Sequence, residues 1–224
     1  MEIRRYFLQQ KNVMKTTWLG KLLIGLLLIL LVYGSSNFLL DQATLFISAK
    51  DTTSPAEAII IENWQYPKES SIRTSLKLLS GGMGRTIFLT EYPFSKSNTL
   101  SDTISPPYYY DILSLIFKGE GYDFRKVRMI PVLARDPVTW NTALTVMETI
   151  AKEGYRSMIL VSPWYHSRRS CDAYTKAGKQ KGIAVFCKPV EGYPEKNNWW
   201  KSDIGLSTVF AEIVKRIYYL FRVI

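Results

Sequence analysis

The only histidine of the chain lies beside two arginines in a short polar segment. Arg168 and Arg169 follow His166 at the predicted start of a helix. Arginine binds phosphate or carboxylate through paired hydrogen bonds, and the free amides at a helix N-terminus add positive potential. An imidazole can donate a hydrogen bond or transfer a proton. We therefore predict an anion-binding site here. In the alternative interpretation His166 caps the helix or packs against Trp164, and the arginines are solvated.

A second polar segment opens the preceding predicted helix. Asn141 and Thr142 lie in its first turn and are expected at the same edge of the sheet as His166. Their amide and hydroxyl groups can contact the same ligand, although these residue types also cap helices locally. We include both residues in the predicted ligand site and keep local capping as the alternative.

Short apolar runs alternate along the chain with segments whose apolar residues recur at helical spacing. The predicted strands lie at residues 58–61, 86–90, 127–133, 158–161 and 183–186, and the predicted helices at about 72–79, 109–118, 139–153, 167–177 and 206–221. This alternation predicts an α/β fold, a Rossmann-like parallel sheet with helices on both faces. Ligands of such sheets bind beyond the carboxyl ends of the strands, where both polar segments are expected.

The composition excludes several kinds of active site. With one His and two Cys, the chain holds neither a His-rich zinc centre nor a zinc ribbon. It contains no Gly-x-Ser-x-Gly elbow, Walker loop or Gly-x-Gly-x-x-Gly motif. We predict no metal site, and the sequence identifies no reaction, catalytic residue or cofactor.

The N-terminal part of the chain has the pattern of a membrane anchor. Residues 22–40 carry no charge, and five basic residues but only one acid precede residue 41. About 20 apolar residues in a helix cross a bilayer, and basic flanks stay in the cytoplasm. We predict a cytoplasmic leader at 1–21 and a single-pass transmembrane signal anchor at 22–40; the alternative is a cleaved signal peptide.

This topology defines the expected domains and partners. A linker at 41–56 would join the anchor to an α/β domain at 57–224, on the periplasmic or extracellular side of the inner (cytoplasmic) membrane. Much of the net charge of +10 is then explained by the orientation of the anchor in the membrane and does not indicate binding to nucleic acid. Because no nucleic-acid-binding motif stands out, we predict no nucleic-acid partner.

Two features leave alternatives open. Cys171 and Cys187 are expected at the same edge of the sheet, where they either form a disulfide or remain buried thiols. The apolar segment at 209–224 fits a final helix packed on the sheet, but it also suits a membrane interface or a partner helix.

Three short motifs resemble the SanA/YdcF/ElyC-like envelope proteins. They are Thr-x-Asn-Thr opening a helix, Gly-Tyr-Arg-Ser-Met-Ile-Leu-Val-Ser, and Tyr-His-x-x-Arg, all within residues 127–190. The family's polar signatures map onto Thr139, Asn141, Thr142, His166 and Arg169. The resemblance implies an anchored Rossmann-like protein of cell-envelope biogenesis or integrity. It also implies a phosphorylated envelope precursor or a nucleotide-like compound as ligand.

The chain departs from that family in two loops. Residues 62–66 replace a glycine-rich turn after the first strand, and residues 90–93 replace a Ser-Gly-Gly turn after the second. Bulky residues there would fill space through which a ligand approaches backbone amides. The alternative function is therefore a non-enzymatic accessory or scaffold subunit of a membrane protein complex, which keeps the fold and has lost the ligand site.

Overall fold

The computed structural model describes residues 18–62, 67–92, 106–133 and 135–223. The chain divides into two compact units, residues 1–41 and 42–224. Most of the predicted cytoplasmic leader lies outside the described residues, as do Trp64 and Tyr66 in one of the two divergent loops.

The first helix, α1, extends over Trp18–Ile47. Large apolar side chains between Trp18 and Leu30 are exposed along it. Within the described residues, no helix has the combination of length and apolar character that a membrane crossing requires. The transmembrane anchor predicted at 22–40 therefore rests on the sequence alone.

The segment predicted as a linker, 41–56, belongs almost entirely to the compact α/β unit. Thr44, in the last turns of α1, accepts a hydrogen bond from the Trp199 indole at 2.9 Å. The Ala49 amide donates to the Ser167 hydroxyl at 2.8 Å. Because these contacts attach both ends of the described helix-to-strand connection to the domain, and the compact unit begins at residue 42, most of the predicted linker packs with the α/β domain.

Five parallel strands form one sheet. They are β1 (Ala58–Ile61), β2 (Thr86–Glu91), β3 (Arg128–Pro131), β4 (Ser157–Pro163) and β5 (Ala184–Val190), in the spatial order β3-β2-β1-β4-β5. All four residues of β1 are fully buried, as expected for a central parallel strand covered on both faces. The predicted α/β architecture with a parallel sheet is confirmed.

Helices cover both faces of the sheet. They are α2 (Glu69–Ser80), α3 (Pro106–Gly119), α4 (Val138–Lys152), α5 (Trp164–Lys181) and α6 (Asp203–Arg222). Alternate residues of β1 point to opposite sides: Ile60 belongs to the core formed with α4 and α5, whereas Ile59 and Ile61 belong to the core formed with α2 and α3.

The order of the strands creates a switch point between β1 and β4. The chain builds β1, β2 and β3 towards one edge and then returns to place β4 on the other side of β1. The loops that follow β1 and β4 therefore diverge to opposite faces of the sheet, and a crevice opens between them.

The helix after β4 begins earlier than predicted. It starts at Trp164 rather than at about residue 167, so that His166 lies in its first turn. Pro163 is the N-cap residue, and a proline is tolerated there because the helix start needs no amide from it.

Candidate functional site

A cavity of about 690 Å³ lies at the switch point. It is lined by Glu62, which directly follows β1, by the starts of α2, α4 and α5, and by one face of α6. The volume falls within the range of about 300–1,000 Å³ that small-molecule sites occupy. Tyr92 forms part of the wall, and none of the described residues fills the space.

Three helices begin at this cavity without a side-chain cap. Their N-cap residues, Lys68 of α2, Pro137 of α4 and Pro163 of α5, line the cavity, and none accepts an amide hydrogen with its side chain. At α6, by contrast, the Ser202 hydroxyl accepts a hydrogen bond from the Gly205 amide. The uncapped first-turn amides of α2, α4 and α5 therefore supply donors and positive potential for an anion.

Arg169 joins three elements at the cavity wall. Its Nε and Nη2 atoms donate to the Glu212 carboxylate at 2.9–3.1 Å, and its Nη1 atom donates to the Thr139 hydroxyl. The guanidinium also lies 5.1 Å from the centre of the Tyr219 ring. These contacts direct Arg169 towards α4 and α6, so it orients neighbouring groups more than it offers donors to a ligand.

Both ring nitrogens of His166 face charged side chains. The Nδ1 atom lies 2.8 Å from Nη2 of Arg169, and because a guanidinium only donates, Nδ1 accepts this bond. In the neutral ring the proton is then on Nε2, which lies 3.4 Å from Oε2 of Glu62. Burial and Arg169 oppose protonation, but the carboxylates of Glu62 and Glu212 outweigh them and raise the pKa of His166.

Glu212 is a site residue that the sequence interpretation missed. Its carboxylate is 8% exposed and contacts Arg169, His166 and Lys215, the last at 3.1 Å. Burial acts to raise the pKa of Glu212, but these three basic neighbours lower it far below its ordinary value. The available signal was an acid in the middle of a helix, between apolar and basic residues, since such an acid needs a partner if it is buried.

Glu62 is the second residue that sequence reasoning did not assign to the site. It follows the fully buried strand β1, and its side chain is only 5% exposed. Its Oε2 atom has no hydrogen-bond partner within the described part of the chain. An acid directly after a buried apolar strand was the signal, because that position is the carboxyl edge of the sheet.

Three of the six predicted ligand residues lie in the cavity wall: Thr139, His166 and Arg169. The other three do not line it. The Asn141 amide donates to backbone carbonyls of residues 135 and 137, and the Thr142 hydroxyl shares a 2.6 Å hydrogen bond with the Tyr92 hydroxyl. Arg168 is partly exposed and lies 3.6 Å from Asp172, one turn along α5.

Tyrosine rings form much of the remaining wall. Tyr92, Tyr165, Tyr218 and Tyr219 all line the cavity. Burial raises the pKa of Tyr92 and of Tyr165, so both hydroxyls stay protonated in neutral solution. The wall thus combines aromatic faces with groups that donate or accept hydrogen bonds.

Cys171 and Cys187 form a disulfide that joins α5 to β5, with the two Cα atoms 5.9 Å apart. No metal centre accompanies it: within the described ranges, no three His, Cys, Asp or Glu side chains are grouped to hold a metal ion. The disulfide is therefore a covalent link between the helix that carries His166 and the edge strand of the sheet.

Comparison with known proteins adds no family assignment. No protein-family model matches the sequence, and no curated protein matches it. The resemblance to SanA/YdcF/ElyC-like proteins stays a prediction that rests on motifs within residues 127–190.

Proposed function

We propose that the α/β domain binds an anionic, phosphate-bearing ligand in the cavity between β1 and β4. One observation carries the proposal: three helices start at the cavity, and none has a side-chain cap. The first-turn amides of these helices would hold the phosphate oxygens. Lys68 and Lys215 on the rim would add opposite charge, while Arg169 and Glu212 would hold the wall in shape.

The same proposal includes a place in the cell envelope. The motifs shared with SanA/YdcF/ElyC-like proteins support a role in envelope biogenesis or integrity, with a phosphorylated precursor or nucleotide-like ligand. The uncharged segment 22–40 supports a single-pass anchor with the domain on the outer side of the inner membrane. The Cys171–Cys187 disulfide supports the same side, because disulfides persist in oxidising compartments. We assign no reaction and no cofactor.

Calorimetric titration of the full chain in mild detergent with inorganic phosphate and pyrophosphate tests the site. We expect both anions to bind and Lys68→Ala to weaken binding about 3- to 10-fold, since a partly exposed charge contributes modestly. Lys77→Ala is the matched control, because it removes the same charge from the exposed far end of α2. Equal affinity in the two variants would refute the assignment of the anion to these helix starts.

A second candidate function, the non-enzymatic accessory subunit, is favoured by the surface of α6. One side of this helix is buried and includes the charged Glu212 and Arg216. Another side exposes an apolar stripe at helical spacing, formed by Leu206, Phe210, Val214, Ile217 and Phe221. An exposed apolar stripe of this length is typical of a surface that contacts another protein or a membrane.

Purification of the full chain in mild detergent distinguishes the two candidates. The accessory-subunit function requires stoichiometric partners that are lost from Phe210→Asp, since Phe210 is 70% exposed. Lys201→Asp is the control, because it introduces the same carboxylate at an exposed position outside α6. A monomer that binds phosphate and retains no partner would exclude this second candidate.

A further inference from the structure

Glu62 lines the cavity at the end of β1. Its amide donates to the Val161 carbonyl at 3.2 Å, which fixes it at the junction between the ends of β1 and β4. Its carboxylate lines the cavity beside His166, in the first turn of α5. A group that contacts Glu62 therefore lies close to one of the helix starts proposed to bind phosphate.

The Glu62 carboxylate has an unused capacity to accept a hydrogen bond. Within the residues that the structure describes, Oε2 has no hydrogen-bond partner, and its ion-pair neighbour, Nε2 of His166, is 3.4 Å away. That distance exceeds the 2.7–3.2 Å of an ordinary N–H···O bond. A buried carboxylate oxygen without a donor is unfavourable unless a ligand supplies one.

The charges around the cavity favour a neutral donor. Lys68, Arg169 and Lys215 line the same space as Glu62, Asp136 and Glu212, so the formal charges of the described lining balance without an ammonium group. A metal ion lacks the necessary ligands, since no cluster of three is present among the described residues. A hydroxyl group satisfies a carboxylate without introducing another charge.

The wall also provides flat surfaces for a ring. Tyr165, Tyr218 and Tyr219 line the cavity, whose volume of about 690 Å³ accommodates a single sugar ring and its phosphate. We infer that the ligand is a sugar phosphate, and that Glu62 accepts a hydrogen bond from a ring hydroxyl while the helix starts bind the phosphate. This inference rests on the phosphate-binding function proposed above, and it adds that the phosphate is attached to a sugar.

Calorimetric titration of the full chain measures how much the phosphate and the sugar each contribute to the affinity. The probes are inorganic phosphate, the 1-phosphates of glucose, galactose and mannose, the three free sugars, and phosphoethanolamine. We expect at least one hexose phosphate to bind about 10-fold or more tightly than inorganic phosphate, since hydrogen bonds to a charged group carry roughly this factor. Phosphoethanolamine should bind no more tightly than inorganic phosphate.

Variants at position 62 identify the group responsible. In Glu62→Ala the hexose phosphate should bind no more tightly than inorganic phosphate. Glu62→Gln, which keeps a neutral acceptor, should retain part of the gain. Glu91→Gln is the matched control: Glu91 ends strand β2 and contacts Tyr110 rather than the cavity.

The outcomes separate the two proposals. If no phosphate compound binds, or if a free sugar binds as tightly as its phosphate, the proposed phosphate-binding function is wrong. If inorganic phosphate binds but no hexose phosphate exceeds it, the sugar-phosphate inference is wrong. A gain that persists in Glu62→Ala, or a larger gain for phosphoethanolamine, also overturns it. Thermal unfolding of each variant verifies that the fold is retained.

Discussion

Glu212 is the carboxylate that Arg169 and Lys215 both contact. It accepts three hydrogen bonds from the buried guanidinium of Arg169 and one from Lys215. A buried pair of this kind is costly to break from one side, because the remaining charge loses its partner without gaining water. The stability of the link between α5 and α6 should therefore depend on this residue.

Replacing Glu212 with Gln should lower the free energy of unfolding by about 3–5 kcal/mol, since Arg169 stays buried without a counter-charge. Urea denaturation at neutral pH measures the change. Glu148→Gln serves as the control, because Glu148 forms an exposed pair with Lys152 on α4 and should leave the urea midpoint nearly unchanged. Equal midpoints for the two variants would show that the Arg169–Glu212 pair contributes little.

The contribution of Glu212 to the stability of the fold should decrease at low pH. The pKa of Glu212 is lower in the folded chain than its ordinary value of 4.5, so its stabilising contribution is complete above that value and is lost as the pH falls below it. The difference in unfolding free energy between the native chain and Glu212→Gln should shrink between pH 5 and 3. As the pH falls, this difference should decrease by up to about 1.4 kcal/mol per pH unit.

His166 does not titrate between pH 5 and 3 in the native chain. Its pKa is raised in the folded chain, so its contribution is complete below about 6.5 and is lost as the pH rises through the folded value. Between pH 5 and 3 it is protonated in both the folded and the unfolded chain. Urea titrations of the two proteins at half-unit intervals give the slope, and a difference that stays constant down to pH 3 would contradict the assignment.

At the scale of secondary-structure elements, the disulfide is the covalent link of α5 to the sheet. Cys171 and Cys187 are 16 residues apart in the chain, and closing a loop of that length stabilises a fold by about 3 kcal/mol. The variant with both cysteines replaced by Ala should lose about this amount in guanidinium unfolding. Dithiothreitol should destabilise the native chain similarly and have no effect on the variant; equal sensitivity of both would refute a structural disulfide.

The helices also illustrate which features local sequence can predict. Apolar spacing predicted α4 at 139–153, and the structure places it at Val138–Lys152. The start of α5 differed by about three residues, because Pro163 permits a helix to begin directly after it. The interior of an element follows its periodicity, but its boundary depends on contacts made outside it.

At the scale of the whole molecule, membrane attachment remains a prediction from residues 22–40. Washing membranes with alkaline carbonate tests it, since an integral protein stays in the pellet. We expect the native chain to be retained and the double variant Leu27→Arg with Leu30→Arg to be released, because each arginine costs about 3 kcal/mol at the centre of a spanning helix. Leu45→Arg, at an exposed position of the α/β unit, is the control; release of the native chain would contradict the prediction.

The structure brings only some of the predicted site residues together. Thr139, His166 and Arg169 meet at the cavity because both segments follow strands whose carboxyl ends lie at one edge of a parallel sheet. Asn141 and Thr142 turn instead towards their own surroundings, since amide and hydroxyl groups at a helix start serve local hydrogen bonds equally well. Residue type and spacing do not distinguish these two uses.

The amino-acid sequence by itself determined the strands, most of the helices and the edge of the sheet at which a ligand is expected. These features follow from hydrophobic periodicity, which is a local property of the chain. Only the tertiary structure decided that β4 lies beside β1, that Glu62 faces His166, and that Glu212 reaches Arg169 from a helix 43 residues away. Such pairings depend on how the elements pack, and the partners of a buried charge are chosen by proximity in space rather than in sequence.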